Sequence, residues 1–227
     1  MNAKMSCSAV GAPVAEGGSA VNISYITDRI WTGGDLPSEL GDEAMLAGLA
    51  EIQDVGITHI LDNRIEWSDE EFIRARAPDL GFMWNGADDV GQVMPDDWFD
   101  LGVDFALEAL EDPDAQVLAH CHMGINRGPS MAFAILLATS MDPVAALTAI
   151  REARPIAAIA YDGDALDWWH RTVNAPAPVV KRQRRQVARW HRDNPLDVDT
   201  IIRMMRNNED DSERGGVRAS LRDPPAT

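Results

Sequence analysis

The sequence is short of sulfur nucleophiles: of 227 residues only Cys7 and Cys121 are cysteines. Two thiols so far apart exclude a disulfide framework, and a thiol kept free calls for a reducing compartment. No stretch approaches the run of about eighteen apolar residues that a membrane span needs, so no membrane partner is expected. The first twenty residues hold Lys4 as their one positive charge and no sustained apolar run, which argues against a secretion signal. The expected location is cytoplasmic. Positive charge is also scarce. Residues 1–175 hold 9 Lys and Arg against 29 Asp and Glu, a net of −20, whereas residues 176–227 hold 11 against 8, a net of +3. A region this acidic repels polyanions at long range, so nucleic acid is not an expected partner. Plain solubility accounts for most of the excess charge.

Against that background, residues 116–130 stand out. Gln116 to His120 has the length and apolar content of a short buried strand, and Ser130 to Thr139 those of an apolar helix. The loop between them, Cys121 to Arg127, delivers a thiol to a helix N-terminus, where unpaired backbone N–H groups and the helix dipole favour an anion. Such a place makes a cysteine more acidic and equally suits a phosphate. Arg127 adds a planar, two-pronged donor for phosphate oxygens, and Gly124 gives the loop room to turn its amides inward. A buried structural cysteine ahead of a helix is the plain alternative. It does not account for His120, Gly124 and Arg127 at their spacing.

The run His120-Cys121-x-x-Gly124-x-x-Arg127 resembles the signature of the cysteine-dependent protein phosphatases, and its surroundings are most similar to the dual-specificity branch. The resemblance extends over about Ile23 to Arg171, is strongest from Asp88 to Pro155, and does not reach 176–227. It implies Cys121 as a nucleophile that forms a phosphocysteine intermediate. Arg127 and the loop residues His122, Met123, Gly124, Ile125, Asn126 and Gly128 would hold the phosphoryl group. The resemblance also implies a general acid on the loop Gly86 to Gly91. Asp89, 32 residues before Cys121, lines up with the family's acid, with Asp88 as the alternative. His120 is expected to orient the loop by hydrogen bonding, His122 to sit on its rim, and Ser130 to cap the helix. Arg64 is expected to pair with Asp62 or Glu66, the alternative being a second anion site near the cleft.

Elsewhere the pattern predicts two short strands or a hairpin from Ile23 to Thr32, ended by Gly33-Gly34. A helix from Glu43 to Val55, a strand from Ile57 to Leu61, and a helix opening at Asp69 behind Ser68 follow. Then come a strand from Gly81 to Asn85, a helix from Asp96 to Glu111, a helix from Asp142 to Ala153 stopped by Arg154-Pro155, and a helix from Asp164 to Thr172. This order implies an α/β fold: a central, largely parallel sheet of four to five strands with helices on both faces, phosphatase-like, and a small helical C-terminal extension. The expected organisation is a disordered segment 1–21, a catalytic domain 22–174, a linker and basic helical extension 175–206, and a disordered tail 207–227. Within the extension, Ala175-Pro-Ala-Pro178 reads as linker, and Lys181 to Trp190 and Leu196 to Met205 as helices. The charge split predicts that the basic helix folds back on the acidic domain and limits access to the cleft.

The resulting expectation is an enzyme that hydrolyses phosphate monoesters without metal or cofactor. Phosphotyrosine on proteins comes first, with phosphoserine and phosphothreonine beside it. Two alternatives stay open: a non-protein phosphatase acting on glucan, RNA 5′ ends or inositol phosphates, and a catalytically weak phosphate-binding module. The oligomeric state is not legible. One position departs from the family's pattern. Most relatives carry Ser or Thr after the arginine, where the hydroxyl helps the thiolate leave in the second step; this chain has Gly128. Breakdown of the intermediate is therefore expected to be slow, and rapid mixing with p-nitrophenyl phosphate to give a burst. A linear onset with normal steady-state turnover would contradict this.

Overall fold

The computed structural model of the chain describes residues 21–197 and residue 199. Of the segments expected to be disordered, 207–227 and all of 1–21 but Val21, which is buried, lie outside the described residues, as does most of the helix expected at 196–205.

Five strands are formed in chain order: β1 (Ile23–Tyr25), β2 (Ile30–Gly33), β3 (His59–Arg64), β4 (Gly81–Ala87) and β5 (Val117–His120). They make one sheet in the order β1-β2-β5-β3-β4, in which β1 runs antiparallel to β2 and the other neighbours are parallel. β5 lies at the centre, and all four of its residues are buried, as suits a strand covered on both faces. Among the described residues seven α-helices accompany the sheet: α1 (Asp42–Asp54), α2 (Glu70–Arg76), α3 (Asp96–Ala109), α4 (Arg127–Ala138), α5 (Pro143–Ala153), α6 (Asp162–Thr172) and α7 (Ala177–Asp193).

Alternation along the strands divides the core in two. Leu61, Val117 and Ala119 point to the side of α3, α4, α5 and α6. Ile60, Phe82 and Leu118 point to the side of α1 and α2, where Met45, Leu49, Ile52 and Ile73 close the second cluster. α4 is apolar on every side because it is covered on every side: it touches β2, β3 and β5 as well as α3, α5 and α6. The largely parallel α/β sheet with helices on both faces is therefore the expected one, with five strands.

Two local expectations are corrected. α4 begins at Arg127, three residues before the expected start, because the loop tightens directly into helical turns. Ser130 is thus the fourth residue of α4, its N–H bonded to the Asn126 carbonyl at 2.8 Å, and it does not cap the helix. The Ala-Pro-Ala-Pro stretch is not a free linker either. Pro176 is the N-cap of α7 and Pro178 sits in its first turn, where a missing N–H costs nothing. α7 does fold back. Its Val187 and Trp190 are buried, and Trp190 Nε1 donates to Thr148 Oγ1 of α5 at 2.9 Å. Arg184 pairs with Asp167 at 2.7 Å and His191 with Asp162 at 2.6 Å, both on or at the start of α6. No helix among the described residues is long and apolar enough to cross a membrane.

Candidate active site

The C-terminal ends of the three adjacent parallel strands β5, β3 and β4 deliver the loops that build the site, the usual place for one in an open α/β sheet. β5 leads into Cys121, which is 2% exposed and whose N–H is tied to the Gly33 carbonyl at 3.2 Å. β4 leads into Asp88 and Asp89. β3, after a register shift between Asp62 and Arg64, leads into Glu66.

The loop after Cys121 has an uneven distribution of hydrogen bonds. Every carbonyl from His122 to Asn126 is taken by the protein. His122 O accepts from Asp35 N at 3.2 Å, Ile125 O from Ala158 N at 2.7 Å, and Asn126 O from Ser130 N at 2.8 Å. Arg154 takes the other two, donating from Nη2 to Met123 O at 3.0 Å and from Nε to Gly124 O. None of the five backbone N–H groups of these residues has an acceptor among the described residues. A curl with carbonyls bound outward and amides unmatched, a cradle for short, has the backbone arrangement that suits an anion. Gly124 is required by two constraints at once: its φ is +63°, and a Cβ there would lie 2.4 Å from the Gly33 carbonyl carbon.

Arg127 is 3% exposed and aims into the same space. Glu66 takes both terminal nitrogens, with Nη1 donating to Oε2 at 2.8 Å and Nη2 to Oε1 at 2.7 Å; Nη1 also donates to the Ala87 carbonyl. Nε–H is left buried without a partner, its nearest carboxylate oxygen being Asp89 Oδ2 at 3.6 Å. The fork thus has one edge fixed by Glu66 and a donor left over for a ligand oxygen. Burial would lower the Arg127 pKa, but Glu66 and the negative charges of Cys121 and Asp89 outweigh it, and the guanidinium stays charged. The hydrogen bonds from Arg127 are the main reason the Glu66 carboxyl drops from 4.5 to about 2.

The two candidate acids differ. Asp89 Oδ1 accepts from Asn126 Nδ2 at 2.6 Å and from the Tyr161 hydroxyl at 2.9 Å, which holds it against the cradle. Asp88 is exposed, and only its backbone carbonyl is engaged, by Gln92.

Around this centre the remaining expectations divide. Arg64 does pair with Asp62, at 2.7 Å, but also with Asp69 at 2.6 Å and Asp35 at 3.3 Å, and it is completely buried. Glu66 belongs to Arg127 instead, and no donor of Arg64 faces the cleft. His120 makes no hydrogen bond with its ring: Nδ1 has no partner, and Nε2 is 3.7 Å from Asp62 Oδ1. Burial lowers its pKa and keeps it neutral. Asn63 anchors the loop there, donating to the His120 carbonyl at 3.0 Å. His122 is on the rim but pinned, with Nδ1 2.8 Å from Asp35 Oδ2 and its ring edge-on to Trp67. Ser130 Oγ accepts from Tyr161 N at 3.3 Å and lies 3.4 Å from Asn126 Oδ1. At Gly128 a Cβ would stand 2.9 Å from the Ala119 carbonyl oxygen and 3.0 Å from the His120 backbone. The usual hydroxyl-bearing residue does not fit there without moving α4 off β5. Glu66, Tyr161 and Asp35 had no motif to mark them, and Arg154 was legible only as a helix stop.

No protein-family model matches the chain. Dual specificity protein phosphatase 26 of Mus musculus is 30% identical over 115 residues, 48% of this chain and 50% of that protein. The chain thus spans about half the length of that curated relative. Among solved structures, PTPMT1 in complex with PI(5)P has a TM-score of 0.53 at 18% identity, covering 68% of this chain and 99% of that one. The human tyrosine phosphatase-like serine/threonine/tyrosine-interacting protein has a TM-score of 0.51 at 16% identity, covering 67% and 98%. The structural likenesses speak for the fold. The sequence likeness is to a dual specificity protein phosphatase over half of that protein's length.

The Glu66–Arg127 pair has a pH signature. A carboxyl whose folded pKa lies below its ordinary value stabilises the fold fully above pH 4.5, and that stability is lost as pH falls through about 2. Glu66 is more than a third exposed, so solvent screening reduces the effect to about 1 kcal/mol. Glu66→Gln is expected to unfold at lower urea than wild type at pH 7, with the gap closing between pH 4.5 and 2. A gap that persists at pH 2 would contradict the pairing.

Proposed function

We propose that the chain hydrolyses phosphate monoesters through a phosphocysteine intermediate, with phosphotyrosine on proteins as its first substrate and phosphoserine and phosphothreonine beside it. The observation that carries this reading is the cradle itself: five unmatched amides and the unmatched Nε–H of Arg127 surround the approach to a buried cysteine. Three anionic oxygens of a phosphoryl group would satisfy them.

The chemistry follows from the placement. Cys121, as thiolate, attacks phosphorus, and the P–O bond to the leaving group breaks as the S–P bond forms. The amides of His122 to Asn126 and Arg127 Nε hold the three equatorial oxygens, so positioning and electrostatics act on the charge as it redistributes. Asp89 gives its proton to the departing oxygen. In the second step Asp89, now a carboxylate, takes a proton from water; that water attacks phosphorus and expels the thiolate. Asp88 is as exposed as Asp89, but its carboxylate has no partner among the described residues, and it is the weaker candidate.

Charge favours a protein substrate over an inositol phosphate or a nucleotide. The cradle carries no lysine, and Asp35, Glu66 and Asp89 stand around it. Each further phosphate on a substrate would meet these carboxylates at short range. A phosphoryl group on a neutral or basic peptide would not. PTPMT1, solved with PI(5)P, makes the lipid headgroup the comparison to run.

The test is turnover on phosphotyrosine and phosphoserine peptides, phosphatidylinositol phosphate, nucleotides and phosphoglucan. Phosphotyrosine peptides are expected to lead. Cys121→Ser is expected to abolish turnover, and Asp89→Asn to lower it by roughly 10²-fold or more. Activity retained in Cys121→Ser would remove the reading; a lead for the lipid headgroup would change the substrate but keep the mechanism.

A further inference from the structure

The loop that carries Asp89 is fastened on its far side to the segment entering α6. The Tyr161 hydroxyl donates to Asp89 Oδ1 at 2.9 Å, accepts from Gly91 N at 3.4 Å, and stands 3.2 Å from Gln92 Oε1. Asn126 bridges the cradle to the same place: its Nδ2 donates to Asp89 Oδ1 at 2.6 Å while its Oδ1 accepts from Ala160 N at 2.6 Å. Met94 N, at the end of the loop, donates to Asp164 Oδ2 at 2.9 Å.

Both side-chain donors converge on one oxygen of Asp89. The other, Oδ2, is the one 3.6 Å from Arg127 Nε. A carboxyl that is free to turn about its terminal torsion exchanges its two oxygens readily, because that torsion is broad. One with Oδ1 gripped by two donors cannot turn without losing both. We propose that Tyr161 is a positioning residue for the general acid: with Asn126 it pins Asp89 Oδ1, so that Oδ2 faces the leaving oxygen. The inference rests on the phosphatase reading of this site and goes beyond it, because the sequence pattern marks the acid and not what holds it.

Tyr161 is well placed for this work. Its side chain is 2% exposed and packed in the core cluster that also holds Met94 and Trp98, so the hydroxyl is presented from a rigid base. Burial, and then the bond to Asp89, raise its pKa above the ordinary 10.0, so it remains a donor throughout neutral pH. Neither Gly91 nor Gln92 donates to Asp89: the amide of Gly91 is bonded to the Tyr161 oxygen, and Gln92 presents its carbonyl oxygen to the hydroxyl.

An acid matters in proportion to the basicity of the oxygen that leaves. The phenol of tyrosine, with a pKa of about 10, departs badly unless protonated, whereas an acidic fluorinated coumarin departs unaided. The experiment measures kcat and KM of full-length wild type, Tyr161→Phe, Asp89→Asn and the double variant. The substrates are a phosphotyrosine peptide and difluoromethylumbelliferyl phosphate. Tyr161→Phe removes one oxygen and leaves the ring in the core, and thermal melting checks that the fold is kept. The expected result is a roughly tenfold fall in kcat on the peptide, part of the 10²–10⁴ that a general acid supplies. On the coumarin substrate the change should be less than about twofold, and the double variant should be no slower than Asp89→Asn alone. Hydrogen exchange of residues 88–94 in the folded variant is expected to be faster than in wild type. An equal fall on both substrates, a further loss in the double variant, or no change on either would overturn the inference. Failure of the phosphatase reading looks different, because Cys121→Ser would then keep its activity whatever Tyr161 does.

Discussion

A guanidinium buried without a carboxylate partner turns the Cys121 loop inside out. Among the described residues Arg154 is bonded to the Met123 and Gly124 carbonyls, to the Asn22 side chain at 2.9 Å and to Ser24 Oγ at 3.2 Å, and to no acid. Burial brings its pKa down to about 10, with the charge of Cys121 as a partial offset, so it is still a cation at neutral pH. By pulling two consecutive carbonyls outward it leaves the opposite face of the loop to the amides. Arg127 Nε is the donor there that is both buried and unmatched, and a buried donor of that kind is costly until an acceptor reaches it. The left-handed Gly124, the pairing of Glu66 with Arg127 and the grip on Asp89 all presuppose a loop held that way.

The arrangement of the candidate site was legible in the sequence where it depends on local spacing, and illegible where it depends on contacts across the fold. Cys121, Gly124 and Arg127 lie within one loop, and the strand before it and the helix after it leave a clear apolar pattern. Glu66 meets Arg127 across 61 residues of chain and Tyr161 meets Asp89 across 72, so nothing in their own neighbourhoods announces either contact. The Arg64–Asp62 pair is the expected one, and what the sequence left out has the same reason. Asp62 is its near neighbour along β3, whereas the register shift beyond it sends Glu66 to the cleft and leaves Asp69 and Asp35 to complete the buried cluster.

Local residue preference and the fold part company at three places. Ser130 has the chemistry of a cap, yet α4 starts earlier because the loop flows into helical turns, with Asn126 as N-cap and no side-chain cap bond. The alternating Ala and Pro before α7 suggested a flexible tether. Proline is equally at home in a first turn, and the burial of Val187 and Trp190 decides between the two by fixing the helix to α5 and α6. Gly128 is a third instance. Read from sequence it is a missing hydroxyl; in the fold it is also a point of close approach between α4 and β5, where a Cβ would press on the Ala119 carbonyl.

The central claim, that the unmatched amides of the loop form an oxyanion-binding cradle, is tested most directly by nitrogen-15 NMR of the full chain titrated with tungstate. The account predicts saturable shifts at the backbone amides of His122 to Asn126 and at Arg127 Nε. Shifts confined to the basic face of α7, or none at the loop, would contradict it.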